Sequence, residues 1–149
     1  MLSEFHAKHQ ESSSLENTIE FVDEWIPEKN LSRGFDLASQ VARNQVGDCT
    51  EHAVLLGATS RALGHPAKVV LGIVVLATST GITSFGHAWT EIYREGQWHL
   101  ADAALHEIGE PLFYLPIGVL ENEGPGYNFS LLEAIAAFPS RLIVESLQH

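Results

Sequence analysis

The chain is short of cysteine, basic residues and long apolar runs, and each shortage removes a class of protein. One cysteine in 149 residues excludes an intramolecular disulfide and any cysteine-rich metal site, so Cys49 is either a buried inert thiol or a reactive one. Eight Lys and Arg against nineteen Asp and Glu give a net charge of −11, which argues against binding a phosphate backbone, since that needs clustered positive charge. No nucleic-acid partner is expected. The longest apolar stretch, 69–77, is about half of what a membrane-spanning helix requires, and the opening MLSEFHAKHQ lacks a secretory apolar region. The expectation is no membrane partner and, by default, a cytoplasmic location. With 45% apolar and 18% charged residues, the length suits a single domain spanning 1–149 with its own core.

Helix and strand signals follow one another along the chain. Leu15, Ile19, Val22 and Ile26 recur at helical spacing until Pro27, so 15–26 is expected to be a helix. A second helix is expected over 35–44. Gly47 and Asp48 then break the chain, and Asp48 can cap a helix over 49–63 that Gly64 and Pro66 close. Cys49 therefore opens a helix. AKVVLGIVVLA from Ala67 is apolar on both faces, as in a strand buried within a sheet. TSTGITS reads as a turn. In FGHAWTEIY, Phe85, His87, Trp89, Glu91 and Tyr93 alternate with Gly86, Ala88, Thr90 and Ile92, the pattern of a strand. WHLAD, 98–102, follows a Glu95-Gly96 turn and completes a hairpin. A strand over 112–120, a helix over 131–138 and a strand over 141–147 are expected in the last third. The stretches 1–14 and 121–128 read as the least structured.

Hairpin geometry brings two polar residues together. With Arg94 opposite Gln97 across a two-residue turn, Asp102 faces Trp89 and lies diagonal to His87 on the same face. Such neighbours have Cβ atoms about 7–8 Å apart or somewhat less, close enough for a carboxylate to orient an imidazole. A thiol at a helix N-terminus is stabilised as thiolate by unpaired N–H groups and the helix dipole. This is the equipment of nucleophilic cysteine chemistry. Spacing alone cannot bring Cys49 to His87, because 38 positions separate them and their contact must be tertiary.

The blocks GDCTEHAVLLGATSRALGHPAKVVLGIVV, FGHAWTEIY and WHLAD, in that order over 47–102, resemble the transglutaminase-like superfamily of papain-like cysteine enzymes. The resemblance implies an α+β fold in which N-terminal helices, including the Cys49 helix, pack on an antiparallel sheet. It also implies a triad of Cys49 as nucleophile, His87 as general base and acid, and Asp102 as orienting carboxylate. Thioester-forming acyl chemistry on a peptide or carboxamide would follow, with hydrolysis as a protease or amidase ahead of transfer to an amine. The N–H of Cys49 would be one oxyanion donor; Gln45 is a candidate for the second, and Trp25 a more remote one. Trp89 is a candidate wall of the substrate cleft.

The family usually follows its Asp with Pro-Thr, whereas Ala103 and Ala104 stand here. Asp48, Glu51 and His52 read as ordinary helix-start residues. No cofactor or metal requirement is expected. Two other readings compete: a non-catalytic module of the same fold that binds peptides or assembles with other chains, and zinc binding by Cys49, His87 and Asp102.

Overall fold

The computed structural model describes residues 1–8, 14–29, 36–108, 111–120 and 136–137. Helices lead and strands follow: α1 Leu2–Lys8, α2 Leu15–Trp25, β1 Glu28–Lys29, α3 Ala38–Asn44, β2 Val46–Gly47, α4 Cys49–Ala62, β3 Ala67–Thr78, β4 Gly81–Arg94, β5 Gln97–Ala101 and β6 Leu112–Leu120. The last four form an antiparallel sheet in the order β5-β4-β3-β6. The fold is α+β, as the sequence led one to expect, with the apolar β3 between two neighbours. The proposed helix over 131–138 lies outside the described residues except for positions 136 and 137, and the strand over 141–147 lies wholly outside them.

Two expectations require correction. The opening stretch 1–14, read as poorly ordered, contains α1, because Phe5 is 1% exposed and meets Phe21 edge to face at 5.1 Å. One deeply buried ring anchors a helix too short to persist alone. TSTGITS is not a loop: β3 and β4 continue to Thr78 and Gly81 and are joined by a tight turn. The far part of that hairpin is exposed from Gly81 to Gly86, so polar Thr and Ser suit it although they read as turn residues.

α4 packs on the sheet through Ala53 and Val54, which meet Val69, Leu71, Ala88 and Leu120. Thr90 ties the layers together, its buried hydroxyl donating to the Ala53 carbonyl at 2.8 Å. A second cluster, built from Phe5, Phe21, Val22, Ile26, Val41, Leu55, Leu56 and Ile92, joins α1, α2 and α3 to the same helix. α4 is thus buried on both sides. Among the described residues, no helix is long and apolar enough to cross a membrane.

Gly72 illustrates how tightly the sheet is filled. It stands opposite His87 on β4 and Pro116 on β6, and a Cβ there would lie 2.1 Å from the Leu115 carbonyl oxygen and 2.6 Å from the Trp89 ring. Backbone cannot yield as a flexible side chain can. Gly72→Ala should therefore destabilise the protein by about 1–3 kcal/mol, read as a lower urea midpoint with unchanged m-value.

Candidate active site

Cys49 is the first residue of α4, half-buried, with Asp48 as N-cap. The Asp48 carboxylate accepts from Thr50 N–H at 2.9 Å, and the Glu51 carboxylate reaches back to Asp48 N–H at 3.1 Å. This is a capping box, two end groups satisfied reciprocally. Glu51 also accepts from Asp36 N–H at 3.0 Å and is fully buried. Burial raises its pKa, and the hydrogen bond with the Asp48 side chain adds to this, while its main-chain donors oppose. The acid read as an ordinary first-turn residue therefore ties the segment before α3 to the start of α4. Gly47 is required for space: a Cβ there would lie 2.2 Å from Cβ of Glu51. The Asp-x-x-Glu spacing carried this signal in the sequence.

The sheet supplies the other groups. Glu95 at φ 52° and Gly96 at φ 84° form the tight turn, and Arg94 pairs with Gln97 through to Thr90 with Ala101. That register brings Asp102, the residue after β5, to His87, whose Nε2 donates to Asp102 Oδ2 at 2.7 Å. Both side chains are almost fully buried. Burial works against the charged imidazole, but hydrogen bonds and charge interactions with Asp102 and Cys49 outweigh it and push the His87 pKa up to about 9. The Cys49 side chain thus reaches the same imidazole that Asp102 holds. With Nε2 committed to Asp102, Nδ1 is the nitrogen left to exchange a proton with the thiol.

Asp102 has three further donors. Its Oδ1 accepts from Ala104 N–H at 3.0 Å and Leu105 N–H at 3.2 Å, a turn closed by the Asp side chain itself. Ala103-Ala104 therefore makes the turn without the Pro-Thr common in the family. Oδ2 also accepts from the Tyr114 hydroxyl at 2.8 Å; burial first, then the Asp102 charge, raises the Tyr114 pKa and keeps the phenol protonated. Sequence reasoning missed Tyr114, because a bulge decides its direction. Leu120 faces Val69 and Tyr114 faces Val74, two β3 residues on opposite sides of the sheet. A regular strand would put residues six apart on one side. The register shift between Leu71 and Gly72 allows Leu120 to enter the core while Tyr114 turns to Asp102.

Three weaker assignments fare differently. Trp89 does not line an open cleft: it is 1% exposed, its ring stacked on His87 at 6.5 Å and edge-on to Tyr114 at 5.1 Å. It is a wall behind the imidazole, in the space Gly72 leaves. Trp25 is no oxyanion donor, because its indole N–H is taken by the Ala42 carbonyl at 3.1 Å. Gln45 is exposed and caps α3 in the left-handed conformation, φ 56°. A cavity of about 740 Å³ lies beside Ser14 to Glu20 and His106 and is lined by none of Cys49, His87 and Asp102.

The sign of the pH effect follows from the raised His87 pKa. The imidazolium contributes stability that is complete below about pH 6.5 and lost as pH rises through about 9. Asp102→Asn removes the principal raising partner and leaves burial dominant, so His87 should titrate well below 9 in that variant. NMR titration of the ring, with unfolding free energy against pH, would check both.

No curated protein matches the chain. Two solved structures share its fold: a candidate cysteine protease from Cytophaga hutchinsonii (15% identity, TM-score 0.55, covering 78% of this chain and 47% of that one), and a TGase (18% identity, TM-score 0.51, covering 73% of this chain and 31% of that one). This chain thus spans about half and about a third of their lengths. The transglutaminase-like superfamily model matches residues 7–103, a range holding Cys49, His87 and Asp102, and the chain belongs to that superfamily.

Proposed function

We propose that this chain carries out thiol-dependent acyl chemistry on a peptide or carboxamide, hydrolysing the bond as a cysteine protease or amidase. The observation that carries the reading is the single imidazole of His87, bonded to Asp102 at 2.7 Å and interacting also with the Cys49 side chain. A nucleophile, a proton carrier and an orienting carboxylate in series are what such catalysis needs. Membership of a superfamily with cysteine-protease-like and transglutaminase members agrees with it.

In this mechanism the Cys49 sulfur, as thiolate, attacks the carbonyl carbon. The oxyanion is met by the N–H of Cys49 at the start of α4, where the helix dipole favours negative charge. His87, holding its proton at neutral pH, gives it to the leaving nitrogen as the C–N bond breaks, and a thioester remains. His87 then takes a proton from the attacking water, the C–S bond breaks, and the acid leaves with the thiolate–imidazolium pair restored. An amine in place of water gives transfer. The proportion depends on how well the site excludes water and holds an amine.

A thiol-reactive peptide probe tests the reading. It should label wild type but not Cys49→Ala, and peptide or amide turnover should vanish in the same variant. His87→Ala should slow alkylation of Cys49 by iodoacetamide near neutral pH and make its rate rise with pH as that of an ordinary thiol does. An ordinary thiol titration near 8.5, indifferent to His87, would overturn the proposal. Asp102→Asn should lower turnover by about 10³–10⁴-fold. Tyr114→Phe, which leaves Asp102 three of its four donors, should cost about tenfold and keep the fold.

A further inference from the structure

The outer edge of β4 is open where it reaches His87. The tight turn from Thr78 to Gly81 makes those two residues a hydrogen-bonded pair, and such pairs alternate along an antiparallel ladder. Thr83, Phe85 and His87 therefore direct their main-chain groups to β3. Ile82, Ser84 and Gly86 point theirs the other way, toward the line of β5. The β5 register agrees, since Arg94 and Gln97 flank the second tight turn and Ile92 and Thr90 bond to β5. Pairing on that side ends at Thr90 with Ala101. Among the described residues no strand continues it alongside Gly86, and Gly81 to Gly86 are exposed.

The residue that ends β5 is the one that holds the site. Asp102 follows the last residue of β5 and closes a turn on the N–H groups of Ala104 and Leu105, so the chain leaves the ladder where His87 stands. Exposed edges are usually blunted by charge, proline or a bulge. β6 has two of these, Pro116 and the register shift between Leu71 and Gly72. GITSFG, 81–86, has none and pairs with β3 without interruption. α4 packs on the row of β4 that holds Ala88 and Thr90, and Cys49, its first residue, packs against the same cluster. Gly86 is the next residue of that row and adds no side chain to it. On the opposite face Phe85, 38% exposed, lies edge-on to the His87 ring at 6.0 Å. Ile82 is 60% exposed, so both faces of the open edge offer apolar surface.

We propose that this edge binds the substrate as an added strand: an extended peptide hydrogen-bonds to the main chain of Ile82, Ser84 and Gly86 and is thereby carried to Cys49 and His87. The proposal rests on the acyl reading above and narrows its substrate to a polypeptide, since a small amide has no strand to add. Main-chain bonds give the affinity, and side chains on alternate residues give the preference. One row of the peptide meets Ile82 and the other meets Phe85, which favours apolar residues.

Thiol alkylation tests it, because labelling of Cys49 does not require turnover. Chloroacetone and chloroacetamide serve as bare reagents. The same groups are then carried on a short peptide of alternating valine and threonine, as a C-terminal chloromethyl ketone and as an N-terminal chloroacetyl group, so that the peptide extends to either side of the reacting carbon. One of the two peptides should label the wild-type chain about tenfold faster or more than its bare reagent, the gain from a few main-chain hydrogen bonds. N-methylation of alternate amides should remove the advantage in one series and spare it in the other, since only every second N–H of a strand faces its neighbour. Ser84→Pro removes an outward N–H and leaves the β3 ladder whole, so it should lose most of the advantage. Its urea midpoint reports whether it folds; if it does not, the methylated series decide. No advantage for either peptide, equal loss in both methylated series, or full advantage in folded Ser84→Pro would each overturn the proposal. Slow hydrogen exchange at Ser84 and Gly86 in the free protein, or a dimer formed through this edge, would also overturn it by assigning another occupant. An ordinary thiol pH profile for the bare reagents counts instead against the acyl reading, so the two failures are distinguishable.

Discussion

The buried carboxylate of Asp102 is the constraint around which the rest is arranged. A charge that is 6% exposed is tolerable only if its lone pairs are matched by donors. Four are present, from three parts of the chain: the His87 imidazole, the Tyr114 hydroxyl and the main-chain N–H groups of Ala104 and Leu105. Each donor demands something of the fold. His87 requires the β4–β5 register, Tyr114 requires the bulge in β6, and the two N–H groups require the turn after β5. The imidazole that results is held in one orientation, its pKa pushed up to about 9.

The N-terminus of α4 is the second fixed point. Glu51, fully buried, binds the main-chain N–H groups of Asp48 and Asp36, and Gly47 leaves it room. Thr90 holds the next turn of the helix to the sheet. Cys49 therefore cannot slide or rotate relative to His87 without breaking buried hydrogen bonds. Precision of this kind is what catalytic groups require of their support. His52, on the same turn, extends the buried polar network of α4 toward Asp23.

Much of this was legible in one dimension because the relevant physics is local. The helix over α2 announces itself by spacing, α4 by a capping box and a Gly-x-Pro exit, β3 by its unbroken apolar run, and the hairpin by alternation about Glu95-Gly96. Period-two arithmetic was enough to put His87 and Asp102 side by side. Where local rules failed, a distant partner had overridden them. Phe5 orders α1 by packing on Phe21, and β4 continues through a segment rich in Thr and Ser because β3 pairs with it. Trp89 was assigned to a cleft wall by type, but its burial depends on a glycine across the sheet.

The sequence by itself determined the order of α2, α3, α4 and β3 to β6, the superfamily resemblance and the three polar residues worth testing, since capping, alternation and turn chemistry act over a few residues. Only the tertiary structure decided that His87 interacts with Cys49 as well as with Asp102, that Tyr114 completes the shell of Asp102, and that His52 on α4 stands 3.7 Å from Asp23 on α2. Those contacts join residues far apart in the chain, and a bulge or a missing Cβ elsewhere decides whether they form. The lone cysteine states that there is one thiol; the proposal that it is reactive rests on the imidazole that the sheet supplies.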